Sequence, residues 1–239
     1  DISQLERMET MRRDFIANVS HELKTPLTVV AGFSEMLADD YASCSEEEVA
    51  HYLKLICEQN ARMQRLIEDL LTLSSLETGS SAPVEERVDL APMLRSILAD
   101  AQALSAGRHE ISLSIETPSI IKGCANELRS AFGNLAGNAV RYTPQGGKID
   151  LVWRLRDGFG EFIVADTGIG IAPQHLPRLT ERFYRVDRSR SRETGGTGLG
   201  LAIVKHVLTR HHATLEIESE AGKGSRFLAR FPSVSLLPG

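Results

Sequence analysis

The chain has 239 residues, of which 42% are hydrophobic and 25% are charged, and this composition is typical of an ordinary globular protein with one or two domains. Its formal net charge of -5 provides no basic field, so nucleic acid is not expected as the main partner. Three widely spaced cysteines match neither a disulfide framework nor a zinc site, and no run of 18 apolar residues suggests a membrane span.

Two long helices are predicted within residues 1–76, because apolar residues recur at every seventh position. The two series are Ile16, Leu23, Val30 and Leu37, and then Val49, Ile56, Met63 and Leu70. A polar segment, residues 39–45, separates them, and Ser45 followed by three glutamates is typical of a helix start. Two helices alone cannot bury both apolar stripes, so we expect a homodimer that forms a four-helix bundle.

A domain of mixed helices and strands is predicted after a linker. Glycine, serine and proline interrupt the helical pattern over residues 77–88. Beyond them we expect helices at about 90–105, 124–141 and 198–212, and strands at about 111–115, 148–156, 160–166, 214–219 and 225–231. A loop rich in arginine, glycine and threonine is expected over about 168–197. This order predicts an α/β sandwich whose sheet is covered on one face.

His21 is the first candidate for chemistry. The phase of the seven-residue repeat puts it on the outer face of the helical hairpin, away from the apolar seam. Glu22 can orient the imidazole and accept its proton, and Thr25 lies one turn further on the same side. Pro26 removes a helix hydrogen bond and is expected to bend the helix there. An idle surface histidine is the alternative, and these neighbours favour a reactive one.

A polar stripe on a later helix is the second candidate. Asn134, Asn138 and Arg141 share one helix face by their spacing. Asparagine carbonyl oxygens one turn apart can hold a hard cation such as Mg²⁺ together with phosphate oxygens. The alternative is an exposed polar face without a ligand.

Two glycine-rich segments are the third candidate. Asp166 begins the first, residues 166–171, directly after an apolar strand, where its carboxylate can accept a hydrogen bond from the amine of a base. The second segment, residues 195–201, opens a helix whose N-terminus can bind phosphate. Turns are the common alternative for glycine. Neither segment fits GxGxxG or a P-loop, which indicates a nucleotide-binding fold of another kind.

Together these segments resemble the conserved boxes of sensor histidine kinases, in the same order and over essentially the whole chain. The H, N, first glycine, F and second glycine boxes correspond to residues 15–27, 134–143, 166–170, 182–185 and 196–200. The resemblance implies a dimerisation and histidine phosphotransfer domain (residues 1–76), a linker (77–88), a catalytic ATP-binding domain of the Bergerat type (89–233) and a C-terminal tail (234–239). Residues 178–194 look most like the phosphate-regulon sensor branch.

The resemblance also implies the roles of the site residues, with ATP and Mg²⁺ as cofactors. Asp166 would read adenine, Asn138 with Asn134 would place Mg²⁺, and Arg141 and Tyr142 would lie near the phosphates, although the family usually has lysine at position 141. Phe183 would anchor a lid, residues 173–197, from which Arg188, Arg190 or Arg192 would reach the γ-phosphate. The remaining nucleotide-binding residues would be Gly168, Gly170, Gly196, Thr197, Gly198, Leu199 and Gly200.

The implied reaction is phosphorylation of His21, followed by transfer to an aspartate of a response-regulator receiver domain. Glu22 and Thr25 have the spacing that the family uses for dephosphorylating the regulator. The chain would be the cytoplasmic portion of an inner-membrane sensor whose N-terminal sensing region lies outside it. Two alternatives are an ATP-driven conformational ATPase of the same superfamily, without histidine phosphorylation, and a dimerisation scaffold with a degenerate nucleotide pocket.

Overall fold

The computed structural model describes residues 2–40, 43–78, 86–117, 120–186 and 196–237. The chain divides into two units, residues 1–71 and residues 72–239. No helix within the described residues is apolar enough over a sufficient length to cross a membrane.

The first unit is a helical hairpin of α1 (Ile2–Asp40) and most of α2 (Glu46–Thr78). Ser45 caps α2 as the sequence predicts: its Oγ accepts from the Glu48 backbone N–H at 3.2 Å, and its own N–H donates to Glu48 Oε2 at 2.9 Å. Across the hairpin the rings of Phe33 and Tyr52 stack with centroids 5.2 Å apart.

The second unit begins with the last turns of α2, where Leu73 and Leu76 are buried. Its helices are α3 (Leu90–Ser105), α4 (Ala125–Tyr142) and α5 (Gly200–Arg210), and Pro173–Arg178 and Ser233–Ser235 are 3₁₀ helices. Its strands are β1 (Glu86–Asp89), β2 (Glu110–Ile115), β3 (Ile120–Gly123), β4 (Lys148–Arg156), β5 (Phe159–Asp166), β6 (Thr214–Glu220), β7 (Gly224–Phe231) and β8 (Leu236–Leu237).

Five strands form the main sheet in the order β2-β4-β5-β7-β6, in which only the β2–β4 pair is parallel. A second, antiparallel sheet has the order β1-β3-β8. The predicted α/β fold class is confirmed, but the boundaries differ. Strand β1 begins within the predicted linker and ends one residue beyond it, β8 lies within the predicted tail, and α2 extends past residue 76. Residues 79–85 lie outside the described residues.

Aromatic side chains fix the helices to one face of the main sheet. Phe132 of α4 contacts Phe162 of β5 with ring centroids 4.2 Å apart, and Phe231 of β7 meets Phe132 edge-on at 5.9 Å. Trp153, the single tryptophan of the chain, is fully buried beside Phe231. The helices therefore cover one face of the sheet, and they hold α4 and α5 above the end of β5.

Charged side chains cover the opposite face, because neighbouring residues of a strand point to opposite sides. Glu161, next to Phe162, is 1% exposed and lies between Arg154 at 2.8 Å and Arg230 at 3.0 Å. Burial alone would raise the pKa of Glu161, but the hydrogen bonds and charges of the two arginines outweigh it and hold this pKa below its usual value.

Candidate functional site

His21 is exposed on α1, as the phase of the repeat predicts. The Thr25 hydroxyl donates to the backbone carbonyl of His21 at 3.2 Å, so the threonine lies one turn beyond the histidine on the same side. The Glu22 carboxylate accepts a hydrogen bond from Arg62 Nη2 of α2 at 3.1 Å. The structure therefore brings the three predicted residues of the H box together and adds Arg62, which the sequence analysis did not single out.

Asp166 ends β5 with its carboxylate on the side of α4. Its Oδ1 accepts backbone N–H bonds from Gly168 at 2.8 Å and Ser225 at 3.3 Å, whereas Oδ2 accepts none from the described residues. Burial raises the pKa of Asp166, and the two N–H bonds offset only part of this effect. A half-buried carboxylate with one oxygen held by the backbone fits a ligand that donates a hydrogen bond to the other oxygen.

The two glycines after Asp166 serve different purposes. A side chain at Gly168 would come within 2.6 Å of both Asp166 Oδ1 and the Tyr142 carbonyl, so this glycine allows the loop to close on α4. A side chain at Gly170 would collide with the Glu220 carbonyl in the β6–β7 turn. Gly170 therefore allows this close backbone contact, and the place beside the nucleotide that the resemblance implies stays a prediction.

The N-terminus of α5 faces the polar stripe of α4. The Asn134 side chain donates to the Ser130 carbonyl at 3.0 Å, which directs its Oδ1 toward Gly200, where an added Cβ would lie only 2.6 Å away. Leu199, the N-cap residue, is buried and provides no side-chain cap. The first N–H groups of α5 thus retain their capacity to bind an anion, beside an amide oxygen of the kind that binds Mg²⁺.

The C-terminal end of α4 supplies the other polar groups. Asn138 is half-buried on the stripe that carries Asn134. The Arg141 guanidinium folds back along the helix, so that a Cβ at Gly137 would lie 3.3 Å from its Nη1. The Tyr142 hydroxyl would lie 3.6 Å from a Cβ at Gly196, which places the phenol beside the second glycine box. These positions fit a phosphate chain that extends from Asp166 toward α5.

The F box within the predicted lid contacts the second glycine box, which begins at the end of the lid. The Phe183 N–H donates to the Gly198 carbonyl at 2.8 Å, and Arg185 donates to the Gly196 carbonyl. Gly198 has a φ of +75°, and a Cβ there would approach the Phe183 backbone to 2.9 Å, so only glycine allows this closure. The Thr197 hydroxyl accepts from the Leu199 N–H at 3.2 Å.

The predicted γ-phosphate arginines Arg188, Arg190 and Arg192 lie outside the described residues. Arg185 was missed by the sequence analysis, although it is the last residue of the F box. Its guanidinium lies against the second glycine box, which is a suitable place for a cation that meets phosphate.

His211 is a second residue that the sequence analysis missed. It is 5% exposed at the end of α5; its Nε2 accepts from the Cys124 N–H at 3.0 Å, and its Nδ1 donates to the Val207 carbonyl at 2.8 Å. Cys124 is the N-cap residue of α4 and makes no side-chain cap; the imidazole accepts the N–H of Cys124 itself, and Glu86 Oε1 accepts the next N–H, that of Ala125, at 3.2 Å. His211 therefore joins the two helices of the site at their far ends.

The arrangement fits ATP with Mg²⁺. Asp166 Oδ2 provides an acceptor for a base amine, and Asn134 and Asn138 provide amide oxygens for a divalent cation. The N-terminus of α5, which has no side-chain cap, and Arg185 provide donors for phosphates.

Comparison with protein families gives two matches. The model of the His Kinase A (phospho-acceptor) domain matches residues 11–79. The model of the "Histidine kinase-, DNA gyrase B-, and HSP90-like ATPase" matches residues 123–235. The two matches coincide with the helical hairpin and with the sheet domain that contains Asp166.

Proteins with similar sequences include two phosphate regulon sensor proteins. The chain is 52% identical over 232 residues to the phosphate regulon sensor protein PhoR of Pseudomonas aeruginosa, covering 97% of this chain and 52% of that protein. It is 41% identical to PhoR of Haemophilus influenzae, covering 95% of this chain and 53% of the relative. The chain therefore spans about half the length of these relatives.

Solved structures share the fold. The Acinetobacter baumannii histidine kinase AdeS superposes with a TM-score of 0.70 at 23% identity, covering 89% of this chain and 98% of that one. Full-length ShkA in complex with AMPPNP superposes with a TM-score of 0.66 at 28% identity, covering 95% of this chain and 46% of ShkA.

Proposed function

Because the chain belongs to the sensor histidine kinases, we propose that it transfers the γ-phosphoryl group of ATP to His21 and then to an aspartate of a response-regulator receiver domain. The observation that supports this proposal is the combination of an exposed His21 in a helical hairpin with a unit in which Asp166, Asn134 and the N-terminus of α5 converge. A conformational ATPase without histidine phosphorylation would leave the His Kinase A domain without a purpose.

In the nucleotide site we assign each residue the role that its position supports. Asp166 accepts a hydrogen bond from the adenine amine through Oδ2, while the backbone holds Oδ1. Asn134 and Asn138 would hold Mg²⁺, which would supply neutralisation of the phosphate charge. The first N–H groups of α5 bind phosphate oxygens, and Arg185 is our candidate for the cation at the transferred group, together with the lid arginines.

At His21 the chemistry is an in-line displacement. One imidazole nitrogen forms a bond to the γ-phosphorus while the bond to the bridging oxygen breaks and ADP leaves, and Glu22 accepts the proton of the ring. In the transfer to the regulator, an aspartate carboxylate oxygen forms a bond to the phosphorus while the bond to the imidazole nitrogen breaks, and the ring regains its proton. Thr25, one turn beyond His21, orients the water that hydrolyses the acyl phosphate of the regulator, so the same face supports kinase and phosphatase activity.

We further propose that the hairpin dimerises and that the chain is the cytoplasmic kinase portion of a longer membrane sensor. Exposed apolar residues on the hairpin, among them Ile16 at 55% and Leu27 at 58%, support the dimer. The half-length coverage of the phosphate regulon sensors supports the longer protein.

Labelling with γ-labelled ATP and Mg²⁺ tests the central proposal. The chain should acquire acid-labile label, and His21→Ala should abolish it while leaving nucleotide binding intact. Chelation of Mg²⁺ should stop the labelling. Label that persists in His21→Ala, or ATP hydrolysis without any label, contradicts the proposal and favours the conformational ATPase.

Asp166→Asn tests the nucleotide site separately. Asparagine keeps Oδ1 and both backbone bonds but replaces Oδ2 with an amide that faces the donor amine of adenine, so we expect ATP affinity to fall at least about 100-fold. Because burial raises the pKa of Asp166, affinity of the unmodified chain should decline on acidification earlier than an ordinary aspartate would allow. Titration calorimetry measures both effects, and unchanged affinity in the variant contradicts this role for Asp166.

A further inference from the structure

Arg62 of α2 contacts the turn of α1 that contains His21. Its Nη2 donates to Glu22 Oε2 at 3.1 Å, and the side chains of Arg62 and Glu22 are only 12% and 22% exposed. A partly buried ion pair is screened less by water and salt than one on the open surface. The hairpin thus has a charged link across its two helices at the residue next to the phosphate acceptor.

The same turn of α1 lacks a helix hydrogen bond. Pro26 lies inside α1 and has no N–H, so the Glu22 carbonyl does not receive the donor that residue 26 normally supplies. The Thr25 and Thr28 hydroxyls donate to carbonyls four residues earlier, a contact that bends helices. The backbone from His21 to Pro26 is therefore held less firmly by the helix itself than a regular helical turn is.

We propose that Arg62 is a positioning residue for His21, since the Arg62–Glu22 pair holds the proline-weakened turn of α1 against α2 and fixes the direction of the Glu22 carboxylate and the imidazole. This inference rests on the proposed function, with His21 as the phosphate acceptor. Arg62 acts through Glu22 and the backbone, and it belongs to a different unit from the nucleotide site. Its loss should therefore slow phosphoryl transfer without weakening ATP binding.

Arg62→Gln in the full chain tests the proposal. Because small errors of alignment slow transfer steeply, we expect kcat for labelling to fall about 10- to 100-fold with the KM for ATP unchanged. Arg62→Lys, which keeps the charge, should restore part of the rate. Arg65→Gln is the matched control, because Arg65 lies one turn further on α2 and donates to the Ala61 carbonyl of its own helix at 3.2 Å. A loss equal to that of Arg65→Gln, or one confined to KM, would overturn the proposal.

Pro26→Ala provides a second, independent test of the role of Arg62. Alanine restores the N–H to the helix, so the turn should no longer depend on the ion pair, and Arg62→Gln should cost much less in that background. The restored helix also protects against unfolding, so the comparison remains informative if Arg62→Gln alone weakens the hairpin. Equal losses in the two backgrounds would overturn the inference.

The outcomes also separate this inference from the proposed function. If the unaltered chain acquires no label, or if His21→Ala keeps it, the proposed function fails. If labelling depends on His21 but Arg62→Gln behaves like the unaltered chain, only the role of Arg62 fails.

Discussion

The two units of the chain bury their apolar side chains to different degrees. In the sheet domain, Phe132, Phe162 and Trp153 are completely buried between the helices and the sheet. In the hairpin, Ile16 is 55% exposed and Ile67 is 48% exposed, although the heptad pattern makes Ile16 a core residue. The sheet domain therefore contains its own core, whereas the hairpin leaves apolar side chains exposed, as the proposed dimer requires.

This difference indicates how the stability of each unit should depend on protein concentration. A unit with a complete core unfolds at a denaturant concentration that does not change on dilution. A hairpin that completes its core with a second copy loses stability when the protein is diluted. Trp153 lies in the sheet domain only, so its fluorescence reports that unit, and sedimentation reports association.

Ile16→Glu should have the largest effect, because it should weaken association of the hairpin and leave the sheet domain unchanged. A glutamate buried in an apolar dimer interface costs about 3 kcal/mol or more, which weakens the dimer at least about 100-fold. Ala17→Glu, one position further round the helix on an exposed residue, is the matched control and should leave the dimer intact. Sedimentation measures the association, and Trp153 fluorescence should show an unchanged sheet domain. An Ile16→Glu protein that dimerises normally contradicts the predicted four-helix bundle.

Glu161→Gln should weaken only the sheet domain. Removing the charge leaves Arg154 and Arg230 without their buried partner, and since both arginines are partly exposed we expect a loss of about 2–3 kcal/mol. Glu218→Gln is the control, because Glu218 is 69% exposed in its pair with Arg226 and should cost less than about 0.5 kcal/mol. Urea unfolding followed through Trp153 measures both.

At acidic pH the sheet domains of the unaltered protein and of Glu161→Gln should have the same free energy of unfolding. The folded-state pKa of Glu161 is lowered, so its stabilising effect is complete above the ordinary glutamate pKa of 4.5 and is lost as the pH falls through the folded-state value. The two unfolding curves should therefore converge in acid while the association of the hairpin follows its own course. A constant gap between them would contradict the role assigned to the ion pairs.

The sequence predicted helices and strands correctly where a segment is long enough for its hydrophobic pattern to repeat. Strand β4 and helix α3 lie where their periodicities predict them, and both helices of the hairpin were expected. Strands β1, β3 and β8 were missed, because segments of four, four and two residues are too short to show alternation. Their pairing depends on partners far away in the chain, such as Val88 with Ile121.

Prediction of the site had a similar limit. The sequence singled out Asp166 and Asn134 as candidates, because chemically distinctive residues stand next to glycines or one turn apart on a helix. It did not find Arg62 or His211, since their contacts appear only when two helices come together. The close contact of Gly170 with the end of β6 also appears only in the structure, because it joins residues far apart in the chain.

His212→Gly should have the smallest effect and should stabilise the sheet domain alone. His212 is exposed and has a φ of +54° just after α5, where its N–H donates to the Thr209 carbonyl at 3.1 Å. This left-handed conformation costs about 1–2 kcal/mol for a residue with a side chain, and the greater freedom of unfolded glycine removes about 0.5–1 kcal/mol of the gain. The net increase should be about 0.5–1 kcal/mol.

Gly222→Ala is the opposite change and completes the test of His212→Gly. Gly222 has a φ of +83° with open space around its Cα, so alanine there adds strain without a clash and should destabilise the domain by about 1 kcal/mol. Both shifts should appear in urea unfolding followed through Trp153, and neither should change the dimer dissociation constant of the hairpin. A change in that constant would show that the two units do not fold independently.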